Sequence, residues 1–116
     1  MDKDALKELG DISGSLAEIF NALGHENRVR VVLYLMEGER DLGDLIYAVG
    51  ISKNGLINHL TVLMEAGIVK RVSRGTYSLT EDGMAYIRDA TDQYLASERY
   101  REERRKRESR MYQWKR

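Results

Sequence analysis

The stretch Ser52-Lys53-Asn54-Gly55-Leu56-Ile57-Asn58-His59-Leu60-Thr61-Val62-Leu63-Met64-Glu65-Ala66-Gly67-Ile68-Val69 decides the fold. Ser52 is a strong N-cap residue, because its hydroxyl can accept from an orphan amide of the first helical turn. At about 100° per residue, Leu56, Leu60 and Leu63 form one core stripe, and Asn54, Asn58, Thr61 and Glu65 fall opposite. Gly67 stands where a left-handed stop ends a helix. The spacing therefore predicts a helix over 53–66. Beyond Gly67 the period changes: Ile68-Val69-Lys70-Arg71-Val72 and Thr76-Tyr77-Ser78-Leu79 are rich in β-branched and aromatic residues and flank Ser73-Arg74-Gly75, a hairpin signal.

Upstream, Asp41 can cap a helix with apolar positions Leu42, Leu45, Ile46 and Val49, and Gly50 ends it. Two short helices separated by Gly50-Ile51 and a cap read as helix-turn-helix. Gly38-Glu39-Arg40 is a connector. Before it, residues 29–36 are apolar except Arg30, which predicts a helix over 28–37, opened by Asn27 and buried on most sides. Leu6, Leu9, Leu16, Ile19, Phe20 and Leu23 mark an amphipathic helix with a break near 10–14, stopped by Gly24. Downstream, Thr80 with Glu81-Asp82-Gly83 opens a last helix carrying Met84, Ile87, Thr91, Tyr94 and Leu95 on one face. That helix is expected to run through the charged stretch to about Arg110, supported by the i, i+4 pairs Glu102–Lys106 and Glu103–Arg107.

The 116 residues suit one domain, read as 1–96, with a charged helical extension over 97–116. No Cys is present, which excludes disulfides, zinc knuckles and a cysteine nucleophile. No apolar run reaches the ~18 residues of a membrane span, and the first residues lack a signal-peptide pattern, so a soluble cytoplasmic protein without a membrane partner is expected. A balance of 19 basic and 19 acidic residues argues, taken alone, against a polyanion partner. The balance is uneven along the chain. Residues 97–116 hold nine basic and four acidic side chains, and residues 52–77 hold Lys53, Lys70, Arg71 and Arg74 against Glu65 alone. The surface offered by this helix and hairpin is basic although the domain is not.

Helix, helix, helix-turn-helix, two-stranded wing and long helix follow in the order of a winged helix domain, mainly α with a small β-hairpin. Ala22-Leu23-Gly24-His25-Glu26-Asn27-Arg28-Val29-Arg30 resembles the opening of the ArsR-type winged helix-turn-helix regulators. Asn58-His59-Leu60 and Leu63-Met64-Glu65-Ala66-Gly67-Ile68-Val69 resemble their recognition helix and wing entry. The resemblance covers about 16–87 and implies a homodimeric repressor of palindromic operators, paired through its first and last helices. Leu9, Leu16, Phe20, Ile87, Tyr94 and Leu95 are the candidate dimer residues. Gly55 and Ile57 depart from the family pattern, Gly55 at a cost of about 1 kcal/mol relative to Ala. Relatives sense metals through Cys pairs or Asp/His sets. With no Cys and only His25 and His59 here, neither site can be assembled, so no metal or other cofactor is expected.

On the helix, Asn54 and Asn58 lie one turn apart near the N-terminus, where an Asn amide can bond bidentately to the adenine edge in the major groove. They read as base contacts or as solvated residues. Ser52 is a cap, a phosphate contact, or both. Lys53 reaches phosphate or stays in solvent, and Ile57 meets a thymine methyl or packs on the preceding helix. His59, near the core edge, reads as a packed or phosphate-touching residue. Arg71 and Tyr77 on the wing are further DNA-contact candidates. Arg74-Gly75 at the tip couples a planar donor fork to a residue tolerant of positive φ, as entry into a flanking minor groove requires. The extension is a solvated helix, a dimer element or an extra DNA contact. The rival function is a protein-interaction winged helix in a transcription or repair assembly without direct DNA binding. No phosphate loop, serine elbow or metal set suggests an enzyme.

Overall fold

The capping serine and the leucine stripe build the centre of the fold as expected. In the computed structural model, which describes residues 2–114, α5 (Lys53–Glu65) starts with Ser52 Oγ accepting from Gly55 N at 3.1 Å. Leu56, Leu60 and Leu63 are fully buried on its inner face. Gly67 ends it at φ 75°, a conformation that disfavours any residue with a Cβ. α4 (Leu42–Val49) precedes it, capped by Asp41 Oδ1, which accepts from Asp44 N at 2.8 Å, and closed by a left-handed Gly50.

The chain divides between Met84 and Ala85 into two compact units. In the first, α1 (Lys3–Asp11) and α2 (Ser13–Leu23) meet at Ile12, inside the expected break. α3 (Glu26–Leu35) differs from the expected 28–37. It is opened not by Asn27 but by His25, which is extended and accepts from Asn27 N through Nδ1 at 3.2 Å. It ends earlier because Gly38, at φ 138°, turns back to donate to Leu35 O. Nor is it buried on most sides: Val31, Val32 and Leu35 enter the core, while Leu33 faces solvent at 42 % exposure. Positions i, i+1 and i+4 share one face of a helix, and Arg28, Val29 and Tyr34 flank that face half-buried.

The expected hairpin is a three-stranded antiparallel sheet in the order β1-β3-β2. β2 (Val69–Ser73) and β3 (Thr76–Leu79) form the wing. The additional strand is β1 (Arg40–Asp41), placed in the expected connector and paired with β3 through Arg40↔Tyr77 and Asp41↔Thr76. It covers an edge that would otherwise present unpaired backbone groups. Between Arg71↔Tyr77 and Ser73↔Thr76 the register shifts at Val72, a bulge next to the wing tip. Behind the sheet, Leu35, Leu45, Leu56, Leu60, Leu63 and Ile68 are all at 1 % exposure or less, and no charged or polar residue is buried among the described residues.

Thr80 fastens the end of the wing to the start of α6 (Glu81–Leu95). Its Oγ1 donates to Gly67 O at 2.6 Å and accepts from Gly83 N at 2.9 Å, and its N–H donates to Ile68 O. Gly83 lies so close to the wing backbone that a Cβ there would stand 2.1 Å from Ile68 O.

In the second unit the expected continuous helix is broken at Ala96-Ser97 into α6 and α7 (Glu98–Trp114). Ser97 starts the new helix by accepting from Tyr100 N, and its hydroxyl donates to Tyr94 O. Tyr94 packs on Tyr100 with ring centroids 5.6 Å apart and donates its hydroxyl to Glu103. The charge pairs along α7 are Arg99–Glu103, Arg104–Glu108 and Arg105–Glu102. Those expected, Glu102–Lys106 and Glu103–Arg107, do not form because their carboxylates are already held by Arg105, Arg99 and Tyr94.

Candidate nucleic-acid interface

α5 presents Ser52, Lys53, Asn54 and Asn58 to solvent at its N-terminal end. Ser52 acts as the cap. A Cβ at Gly55 would stand 3.1 Å from the Ser52 hydroxyl, so the glycine that departs from the family pattern leaves that hydroxyl room. Thr61 turns its hydroxyl back to Ile57 O at 2.9 Å. Ile57 is 38 % exposed, an apolar side chain set between the two asparagines on the open side of the helix. These residues sit at the positive end of the α5 dipole, beside first-turn amides that favour an anion.

On the wing, Lys70, Arg71, Val72, Ser73 and Arg74 are exposed in one run. Arg71 stands over the Tyr77 ring at 5.7 Å, directly across the ladder. Tyr77 itself is buried at 4 % exposure, which removes it from the contact candidates. Its ring alternates inward along β3 and serves as the platform that carries Arg71. Arg74 projects from the tip, where Gly75 takes φ 77°. Gly75 O accepts from Leu42 N at 2.8 Å, so the tip is tied to the first helix of the helix-turn-helix rather than left free.

His59 leaves the open face. It is half-buried against His25, with ring centroids 4.6 Å apart, and its Nδ1 faces Arg28 Nη1 at 3.5 Å. Arg28 also holds the carbonyl end of α2, donating from Nε to Ala22 O at 2.7 Å and from Nη2 to Asn21 O at 3.1 Å. Burial, then the neighbouring His25 and Arg28, push the His59 imidazole below its ordinary value of 6.5. Sequence reasoning missed His25 and Arg28 as partners of α5. Residues 31 and more positions apart give no periodic signal of contact.

The candidate dimer residues divide. Leu9, Leu16 and Phe20 are exposed along α1 and α2, together with Leu6 and Ile12, and Tyr94 and Leu95 are exposed on α6. Ile87, by contrast, is buried at 6 % exposure. Among the described residues, no group of three or more His, Cys, Asp or Glu side chains is placed to hold a metal ion, and no helix is long and apolar enough to cross a membrane.

Residues 25–71 match the bacterial regulatory protein arsR family. The chain is 33% identical over 81 residues to the biofilm growth-associated repressor of Xylella fastidiosa, covering 67% of this chain and 71% of that protein. It is 32% identical over 84 residues to an uncharacterized HTH-type transcriptional regulator of Mycobacterium tuberculosis, covering 69% and 74%. The crystal structure of the transcriptional repressor BigR from Xylella fastidiosa superposes with a TM-score of 0.64 at 29% identity, over 84% of this chain and 100% of that one. With its capped recognition helix, anchored wing and the relatives just described, the chain belongs to the arsR family of winged helix-turn-helix transcriptional regulators.

Proposed function

We propose that the protein is a dimeric, sequence-specific repressor that binds an inverted repeat in double-stranded DNA, with α5 in the major groove and the wing on the flanking groove. The observation that carries this reading is the exposed pair Asn54 and Asn58 at the capped start of α5, on a unit whose wing is wholly basic in charge. Asn54 and Asn58 read base edges. Ser52, Lys53 and Arg71 hold phosphates, and Arg74 enters the minor groove. The relatives support repression: one is named a biofilm growth-associated repressor, another a transcriptional repressor. Pairing draws on the unpartnered apolar side chains of α1 and α2, with Tyr94 and Leu95 of α6. The charged extension that begins at Ser97 stays outside this DNA-binding and dimerisation domain, and its helix α7 (Glu98–Trp114) is solvated.

Selection from a random duplex pool is the decisive experiment, because a recovered inverted repeat establishes sequence preference, symmetry and half-site spacing together. Asn54→Ala with Asn58→Ala then abolishes the preference while leaving salt-dependent background binding. Equal loss on selected and random duplex would overturn the base-reading role. No enrichment, with no mobility shift on random duplex at low salt, would favour a protein-interaction module instead.

A further inference from the structure

His59 is a titratable side chain of the recognition helix that meets Arg28 and His25 on the rest of the unit. An arginine guanidinium has donors only, so His59 Nδ1, facing it at 3.5 Å, must be the acceptor and the ring proton must sit on Nε2. His25 Nδ1 is in the same position: it caps α3 by accepting from Asn27 N, which a backbone amide permits only to an unprotonated nitrogen. Both imidazoles of the chain therefore hold roles that only the neutral ring can perform, and they stand 4.6 Å apart.

We propose that His59, His25 and Arg28 form an acid-sensitive latch that seats the recognition helix, so that DNA binding weakens as the pH falls toward 5.5. This rests on the DNA-binding reading given above; the latch itself does not. Protonating His59 turns an acceptor into a donor aimed at Arg28, and protonating His25 removes the α3 cap. With His59 protonated, its ring cation stands against the Arg28 guanidinium where α5 lies on α3 and the end of α2. Arg28 cannot move away freely, because two of its three nitrogens hold the Ala22 and Asn21 carbonyls. The charged groups that act on His59 are His25 from the α2–α3 junction and Arg28 from α3; α4 and β2 contribute none. Glu26, beside His25 on α3, is paired with Arg30 at 3.1 Å, and Glu18 of α2 and Glu65 of α5 line a separate groove with Val62 and Ala66; none of the three supplies a counter-charge to His59.

The direction follows from linkage. A histidine held below its unfolded value of 6.5 binds its proton more readily in the unfolded chain, so the stability it protects is complete above that value and declines as pH falls through it.

The test compares the full chain with the variant His25→Asn/His59→Asn. Asn keeps an acceptor near the Nδ1 position, is a good N-cap and does not titrate. Thermal unfolding at pH 7.5 and 5.5 is expected to show a drop of about 4 °C for the wild type and little change for the variant. Binding to a labelled duplex selected from a random pool at pH 7.5 should weaken roughly threefold to tenfold between the same pH values for the wild type only. Equal pH dependence in the two proteins overturns the latch. If no duplex can be selected, the DNA-binding reading fails while the melting comparison still judges the latch. Should the variant not fold, an NMR titration of the wild-type imidazole protons decides: a His59 that titrates below 6.5 supports the latch, and a His59 at the ordinary value refutes it.

Discussion

α5 and α7 are helices of similar length, 13 and 17 residues, each with many polar side chains, yet they are held by different forces. α5 lays Leu56, Leu60 and Leu63 into the core, is capped by Ser52 and stopped by a left-handed Gly67, and is gripped from behind by Arg28. α7 has no comparable apolar stripe between Glu98 and Arg110 and depends on exposed ion pairs along its own surface. Burial gives a fixed orientation, which a helix that reads DNA needs. Surface pairing gives helicity without orientation, and each exposed pair contributes little. The difference explains why the proposed reading surface of a chain with no net charge is placed on α5, although α7 is far more charged.

The largest expected effect tests the buried side of this contrast. Leu60→Ala should lower unfolding free energy by about 2–5 kcal/mol in a denaturant titration, because it empties a fully enclosed site. A cost below about 1 kcal/mol would mean that α5 is not anchored by its leucine stripe. Next is Gly83→Ala, which forces a methyl group against the Ile68 carbonyl and should cost roughly 1–3 kcal/mol despite the better helix propensity of alanine. Since backbone rather than a flexible side chain opposes it, the loss should persist in salt. Ser52→Ala removes the α5 cap, at about 1 kcal/mol, and should weaken binding to selected and random duplex alike if the hydroxyl and first-turn amides face a phosphate.

Local chemistry made most of the first unit legible. Ser52, Asp41, Gly50 and Gly67 each decide a helix boundary through their own conformational preference, and the leucine spacing orients α5 without knowledge of the rest. What escaped depends on distant partners. β1 is only Arg40-Asp41, too short for a period, and exists because β3 needs an edge partner. The latch joins residues whose meeting follows from the packing of α3 against α5. Tyr77 reads as a polar wing residue until the ladder turns its ring inward beneath Arg71. The break at Ala96-Ser97 was hidden because Ser97 as a cap, with Tyr94 as its neighbour, competes with uninterrupted helix in a stretch rich in good helix formers.

The smallest effects belong to α7 and sharpen the contrast from the other side. Arg104→Ala removes the pair with Glu108 and should change global stability by no more than about 0.5 kcal/mol, with even that fading at 1 M NaCl. Glu103 is the exception worth isolating. The Tyr94 hydroxyl, then Arg99, hold its carboxyl below the ordinary value of 4.5, and the same hydrogen bond holds the Tyr94 hydroxyl above its own. A carboxylate with a lowered folded value contributes above the unfolded value and loses that contribution as pH falls through 4.5 and below. Acidification should therefore loosen the Tyr94–Glu103 closure before any salt effect on α5 is seen, and Glu103→Gln should reproduce the loosening at neutral pH. Carboxyl-carbon NMR reads it directly. A Glu103 that titrates with the other glutamates, or a Tyr94 resonance indifferent to that titration, would leave α7 with nothing but solvated pairs.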